Sequence, residues 1–147
     1  MNKSNLKNIA ILTTSRADYS ILRNLIFHFK YSKQVNFKLI ITGQHLSRKY
    51  GNTFNEILSD YGKKKFIKIN LNVNKTDTKS LIKVMQTAMM KFSNLFTKNN
   101  FDLIILLGDR YETLSIALTS VMYKIPIIHI NGGEKTMGST DDMFRHS

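Results

Sequence analysis

The chain has 147 residues, 42% of them hydrophobic, no cysteine, and a formal net charge of +12. That length suits one domain with a real hydrophobic core, and no stretch approaches the ~20 apolar residues of a membrane span. Residues 1–6 lack the apolar block of a secretory leader, and the missing cysteines exclude disulfides and thiolate metal sites, which suits a cytoplasmic protein.

The positive balance suggests a polyanionic partner, either nucleic acid or a phosphorylated metabolite. The lysines are scattered, however. Only Lys63-Lys64-Lys65 forms a run, in what reads as a solvated loop leading into a strand. No basic segment interleaved with aromatics and no helix-turn-helix pattern accompanies it, so neither nucleic acid nor membrane is expected as a partner.

Residues 9–13 are a short apolar run closing in a polar Thr-Ser-Arg segment, the pattern of a buried strand. From Asp18 the spacing turns helical, with Ile21, Leu22, Leu25, Ile26 and Phe29 on one face. Residues 35–42 read as a second strand stopped by Gly43, 53–61 as a short helix ended by Gly62, and 66–71 as a third strand. A long amphipathic helix follows. It sets Leu81, Val84, Met85, Ala88, Met89, Phe92, Leu95 and Phe96 at helical spacing, with the methionines read as core fillers. Residues 103–107 form a fourth, almost wholly apolar strand, 111–123 a helix, and 125–130 a fifth strand with Pro126 at its start. Another helix begins near Thr140.

Strands alternating with helices predict a doubly wound α/β domain, a parallel sheet covered on both faces. The unbroken apolar runs at 103–107 and 125–130 read as central strands buried on both sides. No internal repeat, low-complexity tract or linker interrupts the pattern.

Such a sheet binds ligands beyond the carboxyl ends of its strands, near the point where strand order reverses. The candidates are therefore the residues past each strand: Thr14-Ser15-Arg16-Ala17-Asp18-Tyr19-Ser20, Gly43-Gln44-His45, Gly108-Asp109-Arg110-Tyr111-Glu112, and His129-Ile130-Asn131 followed by Gly132-Gly133-Glu134. In the strand order 3-2-1-4-5, the loops after strands one and four are neighbours. That places Arg16 and Arg110 close enough to share a phosphate or diphosphate beneath helix N-termini.

Each set also has a plain structural account. Arg16 and Asp18 fit an ion pair plus a helix cap, Asp109 fits a cap of the next helix, and His129 in its apolar run fits a satisfied core histidine. Asp141 fits an N-cap, with Arg145 and His146 one turn further in. Glu134 is harder to explain that way, because Gly132-Gly133 lets the backbone turn tightly beside a ligand. Convergence of all these on one sheet edge favours a site. No G-x-G-x-x-G follows the first strand and no G-x-x-x-x-G-K occurs, which disfavours a dinucleotide-dependent dehydrogenase and a phosphate-loop kinase. No metal site is expected, since the Asp141-Asp142 pair reads as a cap.

Thr14-Ser15-Arg16-Ala17-Asp18-Tyr19, Thr42-Gly43-Gln44-His45-Leu46, Gly51-Asn52-Thr53, Gly108-Asp109-Arg110-Tyr111-Glu112, Gly132-Gly133-Glu134 and Asp141-Asp142 with Arg145-His146 occur in that order. Jointly they resemble the hydrolysing UDP-N-acetylglucosamine 2-epimerases of sialic-acid biosynthesis and their relatives in legionaminic-acid pathways, over the whole chain. The resemblance implies a cytoplasmic, homo-oligomeric enzyme of the GT-B type, with two Rossmann-like domains and the active site in the cleft between them. Residues 1–147 then correspond to the N-terminal domain, without the C-terminal one.

The implied reaction eliminates UDP from the sugar to give a 2-acetamidoglucal. Water then adds to give N-acetylmannosamine, and no cofactor is involved. Carried over by motif, Asp109, Glu134, Asp141, His129 and Arg145 are the catalytic positions. Arg16, Ala17, Ser20, Arg110 and His146 are the substrate-binding ones. Asn131 stands where some relatives carry a glutamate before the Gly-Gly pair; an amide is no general base, so Glu134 is expected to take that role. The pattern does not separate UDP-N-acetylglucosamine from a diacetamido sugar nucleotide. The 147 residues alone are expected to have little or no epimerase activity, because a closed, water-limited cleft needs the second domain. Two other readings are a nucleotide-sugar-binding, glycosyltransferase-like domain, which would not need carboxylates at both 109 and 141, and a non-catalytic basic module with steep salt dependence.

Overall fold

In the computed structural model, which describes residues 6–51, 53–62, 66–132, 143, 144 and 146, each strongly apolar run has become a strand. The strands are β1 (Lys7–Thr13), β2 (Val35–Thr42), β3 (Phe66–Ile69), β4 (Leu103–Leu107) and β5 (Ile127–Ile130). Between them run the helices α1 (Arg16–Tyr31), α2 (Phe54–Tyr61), α3 (Thr78–Lys98) and α4 (Tyr111–Met122). The order across the sheet is β3-β2-β1-β4-β5, and every pairing is parallel. The chain therefore walks outward from β1 through β2 to β3, then returns to lay β4 on the other side of β1. The reversal point lies between the carboxyl ends of β1 and β4, as expected for a doubly wound fold.

Successive strand residues point to opposite faces, and the two cores follow that period. Ala10, Leu12, Ile40, Ile104 and Leu106 face one way, onto Val84, Ala88, Phe92 and Phe96 of α3 and Ile116 of α4. Ile9, Ile11, Leu39, Ile41, Ile105 and Leu107 face the other way, onto Tyr19, Leu22 and Ile26 of α1 and Phe54, Ile57 and Tyr61 of α2. Phe92 is wholly enclosed, the kind of aromatic whose truncation to alanine costs about 3–5 kcal/mol.

Local chemistry sets the helix starts. Ser15 caps α1: its side chain accepts from the Asp18 N–H, while the Asp18 carboxylate accepts from the Ser15 N–H at 3.0 Å. This capping box starts the helix at Arg16, two residues before the apolar spacing begins. Arg16, Ala17 and Ser20 are thus on the first turns of α1, not in a loop. Asp77 caps α3 by accepting from the Ser80 N–H at 3.0 Å.

Several expectations change. β5 is an edge strand of the described sheet, with Ile128 47% exposed, although its apolar run reads as central. Apolar content records what a strand packs against, not whether a further strand lies beyond it. His129 on β5 is exposed and is no core histidine. Ile21 is 57% exposed on the outer side of α1, and Met89 at 42% exposure lies at the border of the buried face of α3, so neither is a core filler. Pro126 precedes β5, and its carbonyl still accepts from the Ile104 N–H at 3.0 Å. The Lys63–Lys65 run lies outside the described residues, as does most of the helix expected from Thr140, of which Met143 and Phe144 are helical. No helix among the described residues is long and apolar enough to cross a membrane.

Candidate active site

Four strand exits meet at the carboxyl edge. At the first, Asp18 is buried and its Oδ2 accepts from the Thr14 N–H (3.1 Å), the Thr14 hydroxyl (2.5 Å) and the Ser15 N–H (3.0 Å). These donors hold the β1–α1 turn closed, so Asp18 is neither the helix cap itself nor the partner of Arg16. Arg16 is exposed and its Nε lies 3.1 Å from Glu56 of α2. Ala17 and Ser20 are exposed beside it, and the Ser20 hydroxyl donates to the Arg16 carbonyl at 3.0 Å.

At the second exit, Gly43 adopts φ +60°, and a Cβ there would stand 2.8 Å from the Thr14 carbonyl oxygen and 3.1 Å from Glu112 Oε1. Glycine is required by both the dihedral and the close approach. His45 follows, fully enclosed, with Nε2 2.9 Å from the Thr13 hydroxyl and Nδ1 2.7 Å from the Thr53 hydroxyl. Burial pushes its pKa down from 6.5 to about 4, against a smaller upward pull from Asp18. His45 is therefore a neutral tie between the end of β1 and the start of α2.

At the third exit, Gly108, Asp109 and Arg110 lead into α4. Arg110 occupies the cap position with no side-chain cap bond, and half-buried Asp109 stands one residue earlier. The plain capping account of Asp109 does not hold. Arg110 Nε donates to Glu112 Oε1 at 2.6 Å, a charge-assisted distance. With its amide turned so that the oxygen faces the guanidinium, Gln44 accepts from Nη1 and Nη2 at 3.2 Å each. Burial pushes the Glu112 carboxyl up, against the pull of Arg110. Burial also works against the Arg110 charge, but Glu112 outweighs it and holds the guanidinium protonated.

At the fourth exit, His129 Nε2 lies 2.6 Å from the Gly108 carbonyl oxygen. A carbonyl only accepts, so Nε2 carries the proton and ties β5 to the Asp109 loop. Asn131 takes φ 59°, in the left-handed region that Asn visits more readily than Glu. A Cβ on Gly132 would fall 2.6 Å from His129 Nδ1, so glycine lets the chain turn over the imidazole.

The structure gathers Asp109, Arg110 and His129 around one cavity of about 220 Å³ that runs between α4 and β5, with Thr113, Leu118 and Ile127 on its walls. Phe144 also lines it and packs edge-on against Tyr111 with ring centroids 6.3 Å apart. Arg16 and Arg110 come from neighbouring exits, as expected, and each is engaged by its own carboxylate, Glu56 and Glu112. Arg16 sits on the outer surface of α1, within reach of Glu56. His146 is exposed, while Glu134, Asp141 and Arg145 lie outside the described residues. Among the described residues, no group of three or more His, Asp or Glu is placed to hold a metal ion. Sequence reasoning placed Gln44, His45 and Glu112 among the strand-exit candidates but gave none of them a role. Glu112 carried a further signal, the one charged residue in a helix otherwise built of apolar residues, Ser, Thr and Tyr.

The family model for UDP-N-acetylglucosamine 2-epimerase matches residues 28–147. The chain is 37% identical over 143 residues to the polysialic acid biosynthesis protein P7 of Escherichia coli, covering 97% of this chain and 36% of that protein. It is 38% identical over 141 residues to the GDP/UDP-N,N'-diacetylbacillosamine 2-epimerase (hydrolyzing) of Campylobacter jejuni, covering 96% and 36%. Among solved structures, a UDP-N-acetylglucosamine 2-epimerase superposes with a TM-score of 0.80 at 16% identity, covering 96% of this chain and 38% of that one. The Neisseria meningitidis enzyme, bound to UDP-GlcNAc, superposes with a TM-score of 0.73 at 22% identity, covering 95% and 37%. These superpositions speak for the fold. The chain thus spans about 36% of the length of the curated relatives it matches. With the family match running over most of its residues and the same sheet beneath it, the chain belongs to the UDP-N-acetylglucosamine 2-epimerase family.

Proposed function

We propose that residues 1–147 are the N-terminal, Rossmann-like half of a two-domain hydrolysing 2-epimerase acting on UDP-N-acetylglucosamine or a related UDP-acetamido sugar. The observation that carries the reading is the Arg110 guanidinium, fixed by Glu112 and Gln44 at the exit of β4, where strand order reverses, while Arg110 lines one cavity with Asp109 and His129. Relatives named as hydrolysing, from Campylobacter jejuni and Legionella pneumophila at 38% and 32% identity, support that form of the reaction.

In this reading Arg110 and Arg16 bind the diphosphate. Among the described residues Arg16 is held by one exposed ion pair, worth under about 1 kcal/mol, so it leaves Glu56 at little cost. The N-termini of α1 and α4 add their donors, with Ala17 and Ser20 lining the approach. A carboxylate, Asp109 or Asp141, takes the proton from sugar C2. The C1–O bond breaks, UDP departs with the electron pair, and a C1=C2 double bond remains. Water then adds hydroxyl at C1, and a proton returns to C2 from the opposite side. His129, Glu134, Arg145 and His146 are assigned to orienting these groups and the water. The 147 residues alone supply one wall of the cleft, and little turnover is expected of them.

Calorimetric titration of the chain with UDP, beside an Arg16→Ala/Arg110→Ala variant, tests this. Saturable binding that disappears in the variant is the expected result. No binding to a folded chain, or binding that the variant keeps, refutes the strand-end diphosphate site.

A further inference from the structure

We infer that Glu112 is a positioning residue that aims Arg110 at the diphosphate, an assignment that rests on the diphosphate reading of Arg110. An acid in the first turn of a helix ordinarily sits in water and complements the helix dipole. Glu112 does not: it is 0% exposed and points beneath the strand ends. Burying a carboxylate there is a costly way to start a helix, since serine, threonine or an exposed acid serves as well. What the burial achieves is a place against two strand exits at once, with the third next to it. Oε1 takes the Arg110 Nε–H at 2.6 Å from the β4 exit. Gly43 at the β2 exit packs so closely that a Cβ would lie 3.1 Å from that oxygen, and the same Cβ would meet the Thr14 carbonyl of the β1 exit at 2.8 Å.

The donor count then says what is left for a ligand. A guanidinium has five N–H groups. Glu112 takes the one on Nε, and Gln44 takes one from each Nη at 3.2 Å. Among the described residues two remain, one on each Nη and on opposite edges of the guanidinium, so each offers a phosphate oxygen a single directed donor. Held this way, the arginine spends no rotamer freedom when the ligand arrives. Glu112 Oε2 is buried without a hydrogen-bond partner among the described residues, and the carboxylate holds Arg110 through Oε1.

The test is a four-member cycle on the 147-residue chain: wild type, Glu112→Ala, Arg110→Ala and the double variant, with Glu112→Gln alongside. UDP affinity is read by calorimetry, folding by circular dichroism, and the Arg110 Nε–H by ¹⁵N NMR of the unliganded protein. Glu112→Ala is expected to weaken UDP roughly tenfold, as loss of a partner behind a liganding group does, and to cause no further loss when Arg110 is already alanine. Exchange of the Nε–H with solvent should be slowest in wild type, intermediate in Glu112→Gln and fastest in Glu112→Ala. An equal loss of UDP affinity in both Arg110 backgrounds overturns the inference, as does Nε–H exchange unchanged by either Glu112 variant. If Glu112→Ala does not fold, the Glu112→Gln exchange rate decides alone. Unaltered UDP affinity in Arg110→Ala is a different result, which overturns the diphosphate reading and this inference with it.

Discussion

Acid should loosen this fold through the buried imidazole of His45. Its ring is fully enclosed, bridged to Thr13 and Thr53 at 2.9 and 2.7 Å, and burial lowers its pKa from 6.5 to about 4. Between those two values the folded chain keeps His45 neutral while the unfolded chain has taken up a proton. The unfolded state therefore binds one more proton, and stability must rise with pH across the window and fall as pH drops through it. A gap of about 2.5 pH units, at about 1.4 kcal/mol each, gives about 3 kcal/mol lost by pH 4. Burial raises the Glu112 carboxyl, so its contribution has the opposite sign: it is present at low pH and is lost as pH rises through the raised value. The assay must cancel that term. Urea unfolding of wild type and of His45→Gln, followed by circular dichroism at about pH 7 and pH 4, does so by difference. The variant loses a hydrogen-bonded tie and starts less stable, but it cannot titrate there. Wild type should lose about 3 kcal/mol more than the variant. Equal losses would mean that the folded protein protonates His45 freely, and would refute the claim that burial governs it.

Gly43→Ala should destabilise the chain by about 2 kcal/mol or more, because the left-handed dihedral costs an alanine about 1 kcal/mol and the new Cβ must displace the Thr14 backbone. Urea unfolding measures this, and a loss under about 0.5 kcal/mol would show that the β2 exit adapts. Ser15→Ala removes half of the α1 capping box and should cost about 1 kcal/mol in the same assay; an unchanged midpoint would mean that Asp18 holds the turn alone.

How far the fold could be read depended on which signal each residue carried. β2 and β4 were bounded correctly: β4 is apolar throughout, as a strand buried on both faces requires, while β2 carries Asn36 and Lys38 in its less buried first half and ends in a buried apolar run. β5 carried the same kind of run, yet it is the described edge, because composition does not reveal how many neighbours a strand has. α1 began earlier than its apolar stripe for the opposite reason: the start is written in Ser15 and Asp18, polar residues that the apolar period ignores. At the site, topology brought Asp109, Arg110 and His129 together as the strand order requires. Which carboxylate each arginine would meet was not legible. Glu56 and Glu112 lie at unrelated separations in sequence, and only packing places them.

That pairing also settles what the +12 charge contributes at this edge. The surplus lies in scattered lysines, whereas both strand-end arginines face carboxylates, and a second buried acid, Asp18, stands behind Arg110. Among the described residues, the two arginines at this edge are therefore matched by carboxylates and carry no positive surplus. Attraction by net charge would be long-ranged, weakened by salt and indifferent to the shape of the anion. Here an Arg110 guanidinium held by Glu112 and Gln44, together with the helix N-termini, offers donors in fixed directions, which discriminate by geometry where a cloud of lysines cannot. The buried Glu112 adds to that discrimination at a cost in stability, a trade that makes physical sense at a recognition site and none in a helix cap.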